Sequence, residues 1–166
     1  MNSSAARTVH KTVAVIEIVG GLYATVGSLV ALIATRPQVG SELLSGGVWL
    51  MVLGIVALAA GVGLWRSQRR AWRASVALQV TQIPVVILPQ FHYSAYLLLR
   101  IAVGIVNGSL NFTAEAGAEC FLRIDDSSSV TSPTLASVNV LAVACALLLW
   151  RARDIPSSST NPSGYV

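Results

Sequence analysis

Charge is scarce in this chain: 11% of its 166 residues are Asp, Glu, Lys or Arg. A soluble domain carries roughly 25%, so there is too little charge to cover a water-facing surface. Cysteine is limited to Cys120 and Cys145 and histidine to His10 and His92. There is no C-x-x-C, which excludes the usual redox and zinc spacings. No cluster of histidines or acids suggests a metalloenzyme, and no motif points to a cofactor. The expectation is a protein that is not an enzyme. What remains is apolar: 54% hydrophobic residues and a mean hydropathy of +0.69. The apolar runs are of the length that crosses a bilayer, about 20 residues per helix.

Four such runs are predicted as spans, at about 13–35, 47–65, 72–88 and 134–150, within one membrane domain over 1–154. The first follows the basic segment Arg7 to Lys11, like a signal peptide, but its apolar core exceeds the roughly 7–15 residues of an h-region. It is read as an uncleaved helix. The third is interrupted by Pro84 and closed by Pro89. Pro133 is placed to start the fourth. Residues 155–166, SSSTNPSGYV with its preceding two residues, form a tail without core-forming side chains; its final Tyr165-Val166 could enter a PDZ-type groove.

The net charge of +4 and pI near 9.6 do not mark a nucleic-acid binder, because the basic residues flank apolar runs. Arg7 and Lys11 precede span one, RSQRRAWR (66–73) joins spans two and three, and Arg151 and Arg153 follow span four. With four spans these segments share one side, which the positive-inside rule makes the cytoplasm. Arg36, Arg100 and Arg123 fall on the other side with Glu42, Glu115, Glu119, Asp125 and Asp126. Trp65, Trp72 and Trp150 mark the inner boundary and Trp49 the outer one. The arginine- and alanine-rich composition fits a bacterial inner membrane.

Small residues offer close helix packing: Gly20 with Ala24, Gly27 with Ala31, Ala57 with Gly61, Ala59 with Gly63 and Ala142 with Ala146. Glu17 is the acid inside an apolar run. It is either a proton or cation site or a carboxylate near the boundary, reaching water or an arginine of 66–73. Gln79 and Gln82, near Pro84, could meet Asn139 across the bundle. Together with Glu17 they form a candidate intramembrane polar site, or else hydrogen-bonded glue. His92 is read as an interfacial histidine rather than a ligand.

The stretch VGIVNGSLNFTAEAG (103–117) has a different period. Asn107-Gly108 is a type I′ hairpin signal. The turn sets Val106 opposite Ser109, Ile105 opposite Leu110, Val103 opposite Phe112 and Ile101 opposite Ala114, all on one apolar face. On the other face Gly104 meets Asn111, Ala102 meets Thr113 and Arg100 meets Glu115. A third strand after a Gly117-Ala118-Glu119 loop would place Cys120, Leu122 and Ile124 against Ala116, Ala114 and Phe112. The expectation is a three-stranded meander over 97–106, 109–116 and 120–125, outside the membrane between spans three and four. A short interfacial helix over FHYSAYLLLRIAVGIV is the competing reading. Asn107-Gly-Ser109 and Asn111-Phe-Thr113 are formal glycosylation sequons, read as turn and strand chemistry. Residues 125–133, DDSSSVTSP, form a return to the membrane.

Four spans with an outward sheet resemble the general plan of claudins. Claudins carry their sheet mainly between the first two spans, with a W-GLW-C-C signature; here that connection is RPQVGSELLSGG. GVGLWRSQRRAWR and LQVTQIP also resemble small bacterial four-span membrane proteins without an assigned function. That resemblance covers spans two and three and implies no activity. The functional expectation is an accessory or scaffolding subunit whose partners are the bilayer and other membrane subunits. Its docking sheet would present Arg100, Val103, Leu110, Phe112, Glu115 and Leu122. The alternative is a small-molecule or lipid carrier or sensor using Glu17, Gln79, Gln82 and Asn139.

Overall fold

A computed structural model describes residues 3–34, 41–88, 90–124 and 134–153. Arg36, Pro89, Asp125, Asp126, Pro133, the 125–133 return and the 155–166 tail lie outside the described residues, as do the side chains of Glu42 and Arg123. In chain order the elements are α1 (Ser3–Ala34), α2 (Ser41–Trp65), α3 (Arg69–Thr81), β1 (Pro84–Leu88), β2 (Phe91–Val106), β3 (Ser109–Ile124), β4 (Leu135–Asn139) and α4 (Val140–Arg151).

The helices α1 and α2 are long and apolar enough to cross a membrane, over Ser4–Ala34 and Gly46–Trp65. On α1 the buried residues Ala6, His10, Val13, Glu17, Gly20, Ala24 and Ser28 recur every three or four positions. The opposite face is also apolar, with Val15, Val19, Leu22, Val26, Val30 and Ile33 exposed. A helix that is greasy all round does not face water. The core helix of a soluble protein would be mostly buried, whereas only 39% and 33% of these two spans are. Small residues set the α1–α2 approach. A Cβ on Gly21 would lie 2.6 Å from the Gly54 carbonyl oxygen, and one on Gly54 would lie 2.6 Å from Thr25 Oγ1. Ala24, Ala57 and Gly61 continue this seam. Gly27, expected to pack, faces open space, and Gly20 packs instead against Leu97 and Leu98.

Two of the four expected spans are not helices of spanning length. The 13 residues of α3 and the 12 of α4 rise about 20 and 18 Å. Pro84 disfavours helix at the residue before it, and the chain continues as β1. Likewise 135–139 is strand β4, and α4 starts only after Asn139, whose Oδ1 caps the Ala142 N–H at 3.4 Å. The two junctions lie side by side, with the Asn139 N–H bonded to the Ile83 carbonyl at 2.8 Å. The β1–β4 pair thus prolongs the α3–α4 pair. A four-span bundle is overturned: among the described residues there are four helices, two of them of spanning length, with a four-stranded antiparallel sheet.

The α2–α3 turn is a Schellman motif. Ser67 takes φ 59°, its N–H bonds to the Leu64 carbonyl at 2.9 Å, and the Gln68 N–H bonds to the Gly63 carbonyl at 2.9 Å. It helps gather eight cations at one end: Arg7, Lys11, Arg66, Arg69, Arg70, Arg73, Arg151 and Arg153. There Val13, Ala14, Leu64, Ala71, Cys145 and Leu149 from all four helices form a core. The Trp72 indole N–H donates to the Leu149 carbonyl at 2.8 Å, and its ring lies 6.2 Å from that of Trp150.

The turn at Asn107 (φ 48°) and Gly108 (φ 83°) forms as its sequence dictates. The register follows, from Val106 opposite Ser109 to Arg100 opposite Glu115. The third strand of the meander does not form. The stretch 117–119 is not a loop, and β3 runs on to pair Cys120 with Ala95 and Leu122 with Tyr93. The interfacial-helix reading of 91–106 fails with it. The remaining strands are β1 and β4. Because β1, β2 and β4 are each antiparallel to the other two, β2 must reverse direction along its length. The β2–β3 ribbon folds into a V whose bend lies at Leu98 (φ 71°) opposite Gly117 (φ 150°). β1 pairs with the first arm at 91–93, and β4 with the second at 102–106. Among the described residues both free edges of this curled sheet belong to β3. The sheet does not cap the helices; it lies alongside them. Leu97 packs with Ala24, Ala57 and Leu78, and a Cβ on Gly46 would be 3.7 Å from the Cys120 carbonyl oxygen.

Candidate functional site

The polar residues selected from the sequence converge. Glu17 on α1 is 2% exposed. Ser75 Oγ donates to its Oε2 at 2.7 Å, and Gln79 Nε2 donates to its Oε1 at 3.3 Å. Ser75 and Gln79 stand four residues apart, on one face of α3. Gln82, at the C-cap of α3, accepts the Leu97 N–H at 3.1 Å through Oε1 and donates to the Leu78 carbonyl at 3.4 Å. Asn139 Oδ1 accepts the Ile101 N–H at 3.4 Å as well as capping α4.

Glu17, Gln79, Gln82 and Asn139 line one cavity with Leu97, Leu99, Ala142 and Cys145. Its volume is about 10 Å³, which is room for about one water. Within the group, Glu17, Ser75 and Gln79 tie α1 to α3. Gln82 and Asn139 satisfy backbone groups where helix changes to strand. The boundary reading of Glu17 is corrected, because no arginine pairs with it among the described residues and it is not at a water surface. Ser75 went unnoticed in the sequence. Its signal is the spacing of four from Gln79, one of the residues of the candidate polar site.

The six residues of the expected docking sheet do not form one patch. Arg100 holds the bend of the V. Its guanidinium donates to Ser94 Oγ on the first arm at 3.0 Å and to Glu115 Oε2 on the second at 2.5 Å, and lies 4.8 Å from the Tyr96 ring centroid. Arg100 and Glu115 are therefore an internal clamp. Leu110 (68% exposed) and Phe112 (70%) stand on the outer face of the second arm with Ile101 and Ile105, and Val103 is half-buried among them. Leu122, 63% exposed, belongs to the first arm, beyond the bend.

The remaining candidates have structural surroundings. The His92 ring lies 4.5 Å from the Phe121 ring. Burial, with the Glu119 carboxylate adding to it, pushes the Cys120 thiol above its ordinary range, which makes it a poor nucleophile. No family model matches the chain, and neither a curated protein nor a solved structure is similar to it.

Proposed function

We propose that the protein is a non-catalytic accessory or scaffolding subunit of a membrane complex. It is held in the bilayer by α1 and α2 and docks a partner on the second arm of the β2–β3 ribbon. The observation that carries this reading is the exposed face of Ile101, Ile105, Leu110 and Phe112 beside the outer edge of β3. Among the described residues β3 pairs with no strand but β2. The apolar stretch Gly46–Trp65 of α2 covers about 30 Å, the thickness of the hydrocarbon core. The sheet lies beside the half of it that is far from the basic end. Lipid at that depth cannot satisfy an open strand edge, where each unmatched backbone group costs several kcal/mol. A strand from a membrane partner would satisfy it and cover Leu110 and Phe112 together. The cluster of eight cations favours an orientation with the basic end, where α1 begins and α4 ends, at the cytoplasm.

A photo-crosslinking residue at Phe112, in the full chain in its native membrane, tests this. The expected result is a discrete protein adduct that Leu110→Asp abolishes and that a crosslinker at Ser67 does not give. Adducts to lipid alone would reject the docking face.

The convergence of Glu17, Gln79, Gln82 and Asn139 favours a second reading, a small-molecule carrier or sensor. In this conformation the cavity takes nothing larger than a water or a bare cation. Glu17→Gln keeps the shape and the acceptor toward one neighbour. Under the accessory-subunit reading it leaves assembly and any transport or binding unchanged, and loss of transport with assembly intact would favour the carrier.

A further inference from the structure

The outer surface of the α1–α2 pair carries a groove lined by Val15, Ile18, Val19, Val62, Trp65 and Arg66. Its volume is about 330 Å³, and its walls are aliphatic except at one end. That end holds Arg66, which directly follows Trp65, and Lys11, whose Nζ lies 5.5 Å from the Trp65 ring centroid. Neither cation pairs with an acid among the described residues. The helices are antiparallel, with Ala14 beside Gly61. The groove therefore starts at the level of the cations and rises about two turns toward Val19, away from the basic end.

We propose that this groove binds an anionic phospholipid, with the phosphate at Arg66 and Lys11 and an acyl chain along Val62, Ile18, Val15 and Val19. The charge selects the headgroup and the aliphatic walls select the chain. Trp65 sits where an indole favours the boundary between the two. Val15, Val19 and Val62 are each exposed, so the seat is open from the side, as a lipid entering from the bilayer requires. The proposal rests on α1 and α2 being spans and is independent of the docking face.

The test uses the full chain in mild detergent, supplied with equal amounts of phosphatidylglycerol and phosphatidylcholine of the same acyl chains. Native mass spectrometry reads the lipid retained. One phosphatidylglycerol per chain is expected, preferred by roughly fivefold per cation and so by roughly 25-fold for the two. Arg66→Gln with Lys11→Gln brings the preference near unity. Arg70→Gln, an exposed arginine outside the groove, leaves it unchanged. Val19→Trp or Val62→Trp, which fill the groove with both cations intact, lower retention of both lipids. Equal retention of the two lipids overturns the proposal, as does an equal loss in Arg70→Gln. Displacement by inorganic phosphate as effective as by lipid also overturns it, because the acyl seat would then contribute nothing. A chain that stays monodisperse without detergent would overturn the spanning reading itself.

Discussion

Arg100 ties the two arms of the V together, through Ser94 on the first and Glu115 on the second. Removing its charge strands Glu115 and frees Ser94, which is 1% exposed. Hydrogen bonds to a charged group contribute about 1.5–3 kcal/mol. Arg100→Gln is therefore expected to lower the thermal midpoint in detergent, by about 2 kcal/mol of stability. Glu115→Gln should lower it less, because Glu115 is more exposed and the bond to Ser94 survives. The Arg100–Glu115 pair was legible in the sequence, since the Asn107-Gly108 turn fixes which residues face each other. Ser94 was not legible, because it approaches only through the bend. Glu17 was conspicuous as an acid among aliphatic residues, and its neighbours Gln79, Gln82 and Asn139 as amides in apolar runs. Their polarity announced a meeting; the identity of the donor, Ser75, depended on helix geometry.

The bend itself explains what the hairpin pattern concealed. Alternation is readable from Ile101 to Glu115, where one face is greasy and the other polar. Below it Ser94, Ala95, Tyr96 and Leu97 are all buried, since the folded ribbon is enclosed on both faces. Period two is lost there, and Gly117 reads as a loop glycine. Its φ of 150° lies where an L side chain is strained. Gly117→Ala is expected to cost about 1–2 kcal/mol. It should also raise hydrogen exchange at 99–106 more than at 84–88, because the second arm depends on the bend. Unchanged exchange in both segments would mean that the angle is set elsewhere. The same loss of pattern hid β1 and β4, whose apolar residues continue the runs of α3 and α4 without a change in composition. Pro84 and Asn139 were the available signals: a proline that stops a helix and an amide that caps one.

Across the whole molecule, hydropathy counted residues and could not count rise. The runs 72–88 and 134–150 suggest spans by their apolar content, but each is split between helix and strand. The gathering of cations survived this correction, because it depends on where the chain turns and not on how many turns are helical. On the proposed orientation, with the basic end at the cytoplasm, Ser67→Cys in a Cys120→Ser background is expected to resist a membrane-impermeant thiol reagent in intact cells and to react after lysis. Labelling of intact cells would reverse the orientation. The side-by-side junctions at Ile83 and Asn139 have a further consequence, for assembly order. The α1–α2 and β2–β3 pairs join neighbours in sequence and close short loops. The β1–β4 ladder joins Pro84 to Val138 and must await the synthesis of 135–139, since distant pairings close late. Until 135–151 arrives, β1 and the second arm of β2 each keep a bare rim, so a nascent chain stalled before Leu135 is the species most exposed to mispairing and to proteolysis.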